Sequence, residues 1–151
     1  MPFGATLDLA ALDATNGLRL IGAVAGEAAG WSVGSAGDIN GDGIADLIIG
    51  APLSSGATGA SYIVFGRSTP FPAELDLATL DGTNGFRLLG AAGNDWFGYS
   101  VASADVNGDG IDDLIIGAAV ASPGGNVSAG ATYVVFGKTT GFAASVNVSS
   151  L

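Results

Sequence analysis

The chain repeats itself with a period of about 67–71 residues, and this restricts it to folds built from equivalent stacked units. One pair of 16-residue segments agrees at 12 positions, and one pair of 14-residue segments also agrees at 12. The matching pairs are LDLAALDATNGLRLIG at 7–22 with LDLATLDGTNGFRLLG at 75–90, DINGDGIADLIIGA at 38–51 with DVNGDGIDDLIIGA at 105–118, and GASYIVFG at 59–66 with GATYVVFG at 130–137. Residues 141–151 begin a third copy. We therefore predict one domain over 1–151 that holds two full units and a stub.

Each unit is predicted to consist of short β-strands separated by turns. β-branched and aromatic residues fill segments of five or six residues, and Gly, Asn, Asp and Pro lie between them. The predicted strands are 18–22, 31–36, 46–51, 60–65, 86–90, 98–103, 113–118 and 131–136. The segment at 75–85 is predicted to form a turn or a short helix, followed by an Asn-Gly turn. The acids that repeat in this segment and in its first copy are predicted to be turn and cap residues, namely Asp8, Asp13, Asp76 and Asp81.

The predicted strands DLIIGA and YIVFG are apolar on both faces, so a sheet built from them needs cover on both sides. The sequence has no long amphipathic helix pattern, and the cover must therefore come from other sheets of the same kind. Small four-stranded antiparallel sheets stacked around an axis form a β-propeller. An all-β propeller is the predicted fold class. A β-sandwich is the alternative, although its strands normally expose one face to water.

Two motifs in each unit resemble those of the FG-GAP repeat, which builds the propellers of integrin α-subunits and of related bacterial proteins. The FG element is WFGYSV at 96–101, and its first copy, AAGWSV at 28–33, has Ala29 in place of the Phe. The GAP element is Gly-Ala-Pro at 50–52, and its second copy at 117–119 is Gly-Ala-Ala. The resemblance covers nearly the whole chain. It implies an extracellular or cell-surface location for the natural parent, whose signal is not in this chain.

The same resemblance implies two blades, one at about 23–90 and one at about 91–151, and two blades cannot close a ring. Residues 18–22 correspond to the fourth strand of a blade, at 86–90, and the second blade lacks that strand. We expect residues 18–22 of one chain to complete the second blade of a neighbouring chain, head to tail. A homotrimer would give six blades and a homotetramer eight. Propellers of the family resemble seven-bladed rings, which chains with two blades each cannot form. The alternative is an excised fragment that needs its missing blades.

The charge of the chain argues against polyanionic partners. Four basic residues stand against 14 acidic ones, for a net charge of −10. Nucleic acids and anionic membrane surfaces both require clusters of Lys and Arg, so neither is an expected partner. We expect a protein or glycan ligand on the propeller loops instead. Seven of the 14 acids lie in the two repeated segments that begin at Asp38 and Asp105, so the negative charge is concentrated where a cation could bind.

The two acidic segments share the pattern D-x-N-x-D-G-x-x-D, which predicts two calcium sites per chain. Alternate residues of a tight loop point to the same side, and calcium takes 6–8 oxygen ligands, whereas magnesium prefers fewer protein ligands and is the less favoured ion. The predicted ligands are Asp38, Asn40, Asp42, the Ile44 carbonyl and Asp46 in the first site, and Asp105, Asn107, Asp109, the Ile111 carbonyl and Asp113 in the second. An EF-hand is excluded because its twelfth position requires Glu, and that position is Ile49 here. Turns without a metal are the alternative.

No catalytic function is expected. The chain has no cysteine and no histidine, which removes thiol catalysis and the imidazole base of a Ser-His-Asp triad. Ser32 lies in GWSVG, which fits the G-x-S-x-G pattern, but the segment is predicted to open a strand rather than a strand-to-helix turn. Asp112, beside the second predicted site, has Ala45 as its counterpart and is expected to be a solvated neighbour. We expect a calcium-binding structural or adhesion-type module; the alternative is a non-catalytic accessory segment of a larger extracellular hydrolase.

Overall fold

The structure, a computed structural model, describes residues 8–151. Its strands are β1 (Arg19–Ile21), β2 (Ser32–Gly37), β3 (Asp46–Ala51), β4 (Ala60–Val64), β5 (Glu74–Asp76), β6 (Gly85–Leu89), β7 (Phe97–Ala104), β8 (Asp113–Ala118), β9 (Ala131–Val135) and β10 (Ser145–Asn147). One short helical turn, α1, covers Ser54–Ala57, and 3₁₀ turns cover Leu9–Ala11, Leu77–Thr79, Pro123–Gly125 and Val148–Ser150. The prediction of an all-β chain is confirmed. No helix among these residues is long and apolar enough to cross a membrane.

The first blade is a five-stranded sheet with the order β10-β6-β4-β3-β2. Strands β2, β3, β4 and β6 pair antiparallel, as predicted for a four-stranded blade. The fifth strand, β10, pairs parallel to the outer side of β6 and was not predicted. Its three residues, Ser145–Asn147, carry one partly buried side chain between two exposed ones. Such a short strand leaves too little pattern in the sequence to be recognised.

The second blade contains only three strands, in the order β7-β8-β9, among the residues that the structure describes. A separate two-stranded sheet pairs β1 with β5 in parallel. Strand β5 was not predicted either; the segment 75–85 was expected to be a turn or a short helix, and a 3₁₀ turn forms only at Leu77–Thr79. The β1-β5 pair is the counterpart of β6-β10, because residues 19–21 and 74–76 repeat as 87–89 and 145–147. The sheets thus follow one plan, of which the first blade is the complete example.

Strands with two buried faces occur where a sheet has neighbours on both sides. Every residue of β4 is buried, as the apolar sequence predicted. One face of the first blade packs on the second blade, and its other face packs on the β1-β5 pair. In β9, by contrast, buried or partly buried residues alternate with exposed ones. The same sequence pattern therefore gives different burial because only the first blade is covered on both sides.

The FG and GAP motifs meet where the two blades touch. Phe97 is fully buried between the blades, and its amide donates to the carbonyl of Thr58 at 3.2 Å. Gly98 has φ +88°, and a Cβ there would press on the carbonyl of Ala60. A Cβ on Gly50 of the GAP motif would overlap the carbonyl of Gly98. The glycines of the two motifs therefore allow the backbones of neighbouring blades to come into contact.

The repeated acids outside the two acidic loops have the local roles that were predicted. Asp8 and Asp76 are N-caps of 3₁₀ turns, and their side chains accept the amides of Ala10 and Ala78. Asp13 and Asp81 accept bonds from the Thr two residues later, at both the amide and the hydroxyl. Those bonds lower the pKa of both carboxyls. These four acids serve turn geometry.

Candidate metal centres

The first acidic loop connects the end of β2 to the start of β3, and its side chains fold back onto its own backbone. The carboxylate of Asp38 accepts the amides of Asp42 at 2.9 Å and Gly43 at 2.8 Å. The Asn40 side-chain oxygen also accepts the Asp42 amide, at 2.9 Å, and the Asp42 carboxylate accepts the Ile44 amide at 2.8 Å. Glycines at positive φ provide the tight curvature of the loop. Alternate polar side chains therefore lie within one compact turn.

Asp46 holds this loop to the body of the blade. Its side chain is 1% exposed and accepts the amide of Ile39 at 3.1 Å and that of Gly66, which follows β4, at 2.7 Å. Burial raises the pKa of Asp46 to about 6, against the opposing effect of those two bonds, and the charges of Asp42 and Asp38 add to the rise. The buried setting of the carboxylate thus disfavours its negative charge. A nearby cation would favour the charged form and lower the pKa.

The second loop, between β7 and β8, repeats the first almost bond for bond. Asp105 accepts the amides of Gly108, Asp109 and Gly110 at 2.7–3.1 Å. Asn107 accepts the Asp109 amide, and Asp109 accepts the Ile111 amide, both at 2.9 Å. Asp113 is fully buried and takes the place of Asp46; it accepts the amides of Val106 and Gly137, each at 2.9 Å. The two loops are structural equivalents.

The structure brings the ten predicted ligand positions into two loops but does not cluster their carboxylates. Among residues 8–151, no group of three or more acidic side chains is close enough together to hold a metal ion. The carboxylates point instead to loop amides, which offset part of the repulsion between the three closely spaced acids of each loop. The donor set nevertheless suits a hard cation, since each loop offers three carboxylates, an amide oxygen and a main-chain carbonyl. Each carboxylate oxygen that accepts an amide retains further lone pairs for an ion.

Asp112 has a role that the sequence analysis missed. Its carboxylate reaches across to the first loop and accepts the Asp38 amide at 2.9 Å. Gly37, at φ +62°, makes room for it, because a Cβ there would overlap the Asp112 carboxylate. The expectation of a solvated neighbour is therefore wrong, and Asp112 links the two acidic loops. The signal was available in the one added charge that distinguishes the second loop from the first, where Ala45 is the counterpart.

Ser32, the serine of the G-x-S-x-G pattern, also makes a bond between the blades. Its hydroxyl donates to the carbonyl of Gly98 at 2.8 Å. Ser32 opens strand β2 and is partly buried, as the strand prediction required. The hydroxyl is therefore bound to backbone at the blade junction.

The stacked antiparallel sheets, the glycine contacts between them and the loop after each first strand define a β-propeller-type repeat protein. The FG-GAP repeat family matches residues 29–64 and 97–135. Each match runs from just before or at the first strand of a blade to its third strand and includes one acidic loop. The chain belongs to the FG-GAP repeat family, and the predicted resemblance is confirmed.

Related proteins include a phospholipase D and integrin alpha chains. Phosphatidylinositol-glycan-specific phospholipase D of Bos taurus is 36% identical over 119 residues, which are 74% of this chain and 14% of that protein. The Homo sapiens protein of that name is 35% identical over 128 residues, which are 80% of this chain and 14% of that protein. Integrin alpha-M of Mus musculus is 37% identical over 86 residues, which are 54% of this chain and 7% of that protein. The chain thus spans about a seventh or less of these relatives.

Proposed function

We propose that this chain is a calcium-binding β-propeller module with a structural or adhesion-type role, at the cell surface or outside the cell. The observation that supports it is the pair of equivalent acidic loops, each anchored by a buried aspartate. Asp46 bonds to Gly66 after the third strand of the first blade, and Asp113 bonds to Gly137 after that of the second. An ion in each loop would hold the loop and the strands around it together.

Calcium would act as a hard cation that accepts oxygen donors and supplies no chemistry beyond that. Asp38, Asn40, Asp42, the Ile44 carbonyl and Asp46 would hold one ion, and Asp105, Asn107, Asp109, the Ile111 carbonyl and Asp113 the other. A ligand that binds only the folded protein stabilises it by RT ln(1 + [L]/Kd), which is about 2.7 kcal/mol per site at a hundredfold excess over Kd. Magnesium is the less favoured ion.

A binding role is supported by an aromatic cluster at the opposite ends of the strands from the acidic loops. Trp31 precedes β2, whereas the first acidic loop follows it. The Trp31 ring lies 5.6 Å from Tyr99, which lies 5.8 Å from Trp96. Trp31 is 53% exposed and Tyr99 39%. Exposed rings of this kind suit a protein or glycan ligand, which would bind there while the ions fix the other end.

Self-association is part of the proposal. Three chains would give a six-bladed ring and four chains an eight-bladed ring, each sheet covered by the next. The support for it is the uncovered state of β9 beside the covered state of β4.

The decisive experiment is a thermal melt with calcium and with saturating EDTA. We expect a lower midpoint in EDTA, and about half of the calcium effect to be lost in Asp38→Asn or Asp105→Asn if the sites are independent. Asp81→Asn is the matched control, because it makes the same charge change in a turn outside the loops and should keep the full effect. An identical midpoint with and without EDTA would reject the calcium sites.

A second candidate function is that of a non-catalytic accessory segment in a larger extracellular hydrolase. The identity to phosphatidylinositol-glycan-specific phospholipase D over most of this chain favours it. The two candidate functions differ in the protein that would contain the module. In both of them the module itself is not an enzyme. We expect the isolated chain to release nothing from a glycosylphosphatidylinositol-anchored test protein. Release by the purified chain would overturn the non-catalytic assignment.

A further inference from the structure

The outer edge of β9 is an incomplete copy of a site that the first blade shows complete. Phe65, after β4, is 9% exposed and packs against Phe86 of β6 and against Phe142. Its counterpart Phe136, after β9, is 56% exposed. Ile63 of β4 is fully buried, and its counterpart Val134 is 41% exposed. Phe65 is covered by Phe86 of β6 and by Phe142, whereas β9 has no outer partner strand among residues 8–151. Ile63 is buried because the second blade covers that face of β4.

Two cavities flank this open edge. One, of about 370 Å³, is lined by apolar side chains that include Leu88, Val135, Phe136 and Leu151. The other, of about 350 Å³, contains Asp95 and Tyr133. A strand that covers the β9 edge would therefore lie close to both an apolar surface and an acid. It should carry apolar side chains together with a basic one.

Residues 17–22, Gly-Leu-Arg-Leu-Ile-Gly, combine three apolar side chains with one arginine and are the repeat counterpart of residues 85–90. Strand β1 within this segment pairs with β5 on one side only, among the described residues. The β7-β8-β9 sheet of one chain followed by the β1-β5 pair of another would have the same order and strand directions as the complete five-stranded sheet. Three strands and two strands thus add up to one blade.

We propose that β1 of a second copy of this chain pairs antiparallel with β9, an inference that rests on the proposed self-association and specifies its contact. The register follows from the first blade, where Ser61 faces Leu88 and Tyr62 faces Arg87. Transferred to the joint, Thr132 faces Leu20 of the second copy and Tyr133 faces its Arg19. The sheet then continues across the two chains without a shift.

Arg19 of the second copy fills a charged site that is incomplete without it. In the first blade Tyr62 donates to buried Glu27 at 2.7 Å, and the charge of Arg87 acts on Tyr62. Asp95 is the counterpart of Glu27 and is 9% exposed near Tyr133. The chain has only four basic residues, and the register brings one of them to this acid. The site thus selects an arginine from the partner.

The incoming copy contributes its strand but not the turn before it. By the repeat, residues 8–12 of the second copy would lie at the same position beside β9 as residues 147–151 of the first copy. Val148 of the first copy already lies there and is 5% exposed, whereas Leu9 is 71% exposed. The 3₁₀ turn Leu9–Ala11 of the second copy therefore stays outside the joint. Only residues 17–22 insert.

Cysteine pairing tests the register, because the natural chain has no cysteine. Chains with Leu20→Cys are mixed with chains with Thr132→Cys, oxidised, and analysed by non-reducing electrophoresis. Facing residues in an antiparallel pair have Cα atoms about 4.5–5.5 Å apart, which suits a disulfide. We expect a crosslinked heterodimer at several times the yield of a Leu20→Cys and Val134→Cys mixture, which is two residues out of register. The Ser61→Cys/Leu88→Cys double variant is the positive control and should close within one chain.

Sedimentation velocity of the natural chain, run with calcium, separates this contact from the self-association itself. A concentration-dependent oligomer whose cysteine pairs do not crosslink in register would overturn the β1–β9 contact and leave self-association intact. A folded monomer at all concentrations would overturn both, and some other segment would then cover β9. Arg19→Gln should weaken assembly about tenfold, while Glu74→Gln, which removes only the exposed ion pair of Arg19, should change it less than about twofold. Equal effects of the two variants would reject the role of Arg19 at Asp95.

Discussion

Asp112 and Gly37 form a pair whose coupling can be measured, because each depends on the other across the blade junction. The Asp112 carboxylate accepts the Asp38 amide at 2.9 Å, and it fits only because Gly37 has no Cβ. We therefore consider Asp112→Ala, Gly37→Ala and the double variant together. If the contact is as described, the two changes must not be additive.

The expected magnitudes follow from the geometry. A hydrogen bond to a charged group contributes about 1.5–3 kcal/mol, and partial burial here favours the lower end, so Asp112→Ala should cost about 1.5 kcal/mol of unfolding free energy. Gly37→Ala places a side chain at φ +62°, which costs about 1–2 kcal/mol, and it also expels the Asp112 carboxylate. We expect a total near 3 kcal/mol in the natural background and about 1.5 kcal/mol once Asp112 is Ala. The coupling energy is therefore about 1.5 kcal/mol.

Urea denaturation followed by tryptophan fluorescence measures these differences, with calcium present throughout. Trp31 and Trp96 lie next to the strands of the two blades that meet, so both report on the junction. Asp112→Asn is the matched control; it keeps an oxygen acceptor and should lose no more than about half as much as Ala. Single-variant effects that add to within about 0.3 kcal/mol, at equal m-values, would refute the contact between Asp112 and the Gly37 backbone.

Two further predictions concern single sites. The pKa of Asp46 in the folded protein, about 6, lies above its ordinary 3.8, so folding favours the protonated carboxyl. The contribution of protonated Asp46 to the free energy of unfolding is therefore complete below pH 4 and is lost as the pH rises through 6. The calcium-free protein should therefore melt at a lower temperature at pH 7.5 than at pH 4.5, with an unfolding free energy lower by about 2 kcal/mol, and Asp46→Asn should remove most of that difference; an unchanged difference in the variant would assign it to other carboxyls. Phe65→Ala should lower the free energy of unfolding by about 3 kcal/mol, and Phe136→Ala should lower that of the monomer by less than about 1 kcal/mol. The reason is that Phe65 is 9% exposed and Phe136 is 56% exposed. Similar losses for the two variants in urea denaturation at low protein concentration would show that Phe136 is already covered.

Local patterns predicted the strands of the blades and the acidic loops well. The sequence places strands at 46–51 and 113–118, and the structure has them at those bounds. The other predicted strands agree to within one or two residues at each end. These segments could be found because apolar, β-branched runs between Gly and Asp turns are a property of neighbouring residues. The loop bonds of Asp38 and Asp105 are equally local, since their partners lie within five residues.

Contacts between sheets could not be found in this way. The parallel pairing of β10 with β6 joins residues that are far apart in sequence and leaves only a three-residue strand as its signal. The bond of Asp112 to Asp38 crosses 74 residues, and nothing local to Asp112 indicates its partner. The direction in which the loop carboxylates point is also set by amides that compete for them.

The repeat, the eight predicted strands, the FG-GAP family and the two sets of oxygen donors could be found from the sequence, because each depends on short runs of adjacent residues. The covered face of each sheet, the glycines that let the blades touch and the open edge became known from the tertiary structure. The equivalent strands ASYIV and ATYVV are fully buried in β4 and partly exposed in β9. A strand is buried only where neighbouring elements cover it. The hydrophobic effect depends on the apolar area removed from water, and the sequence pattern alone does not give that area.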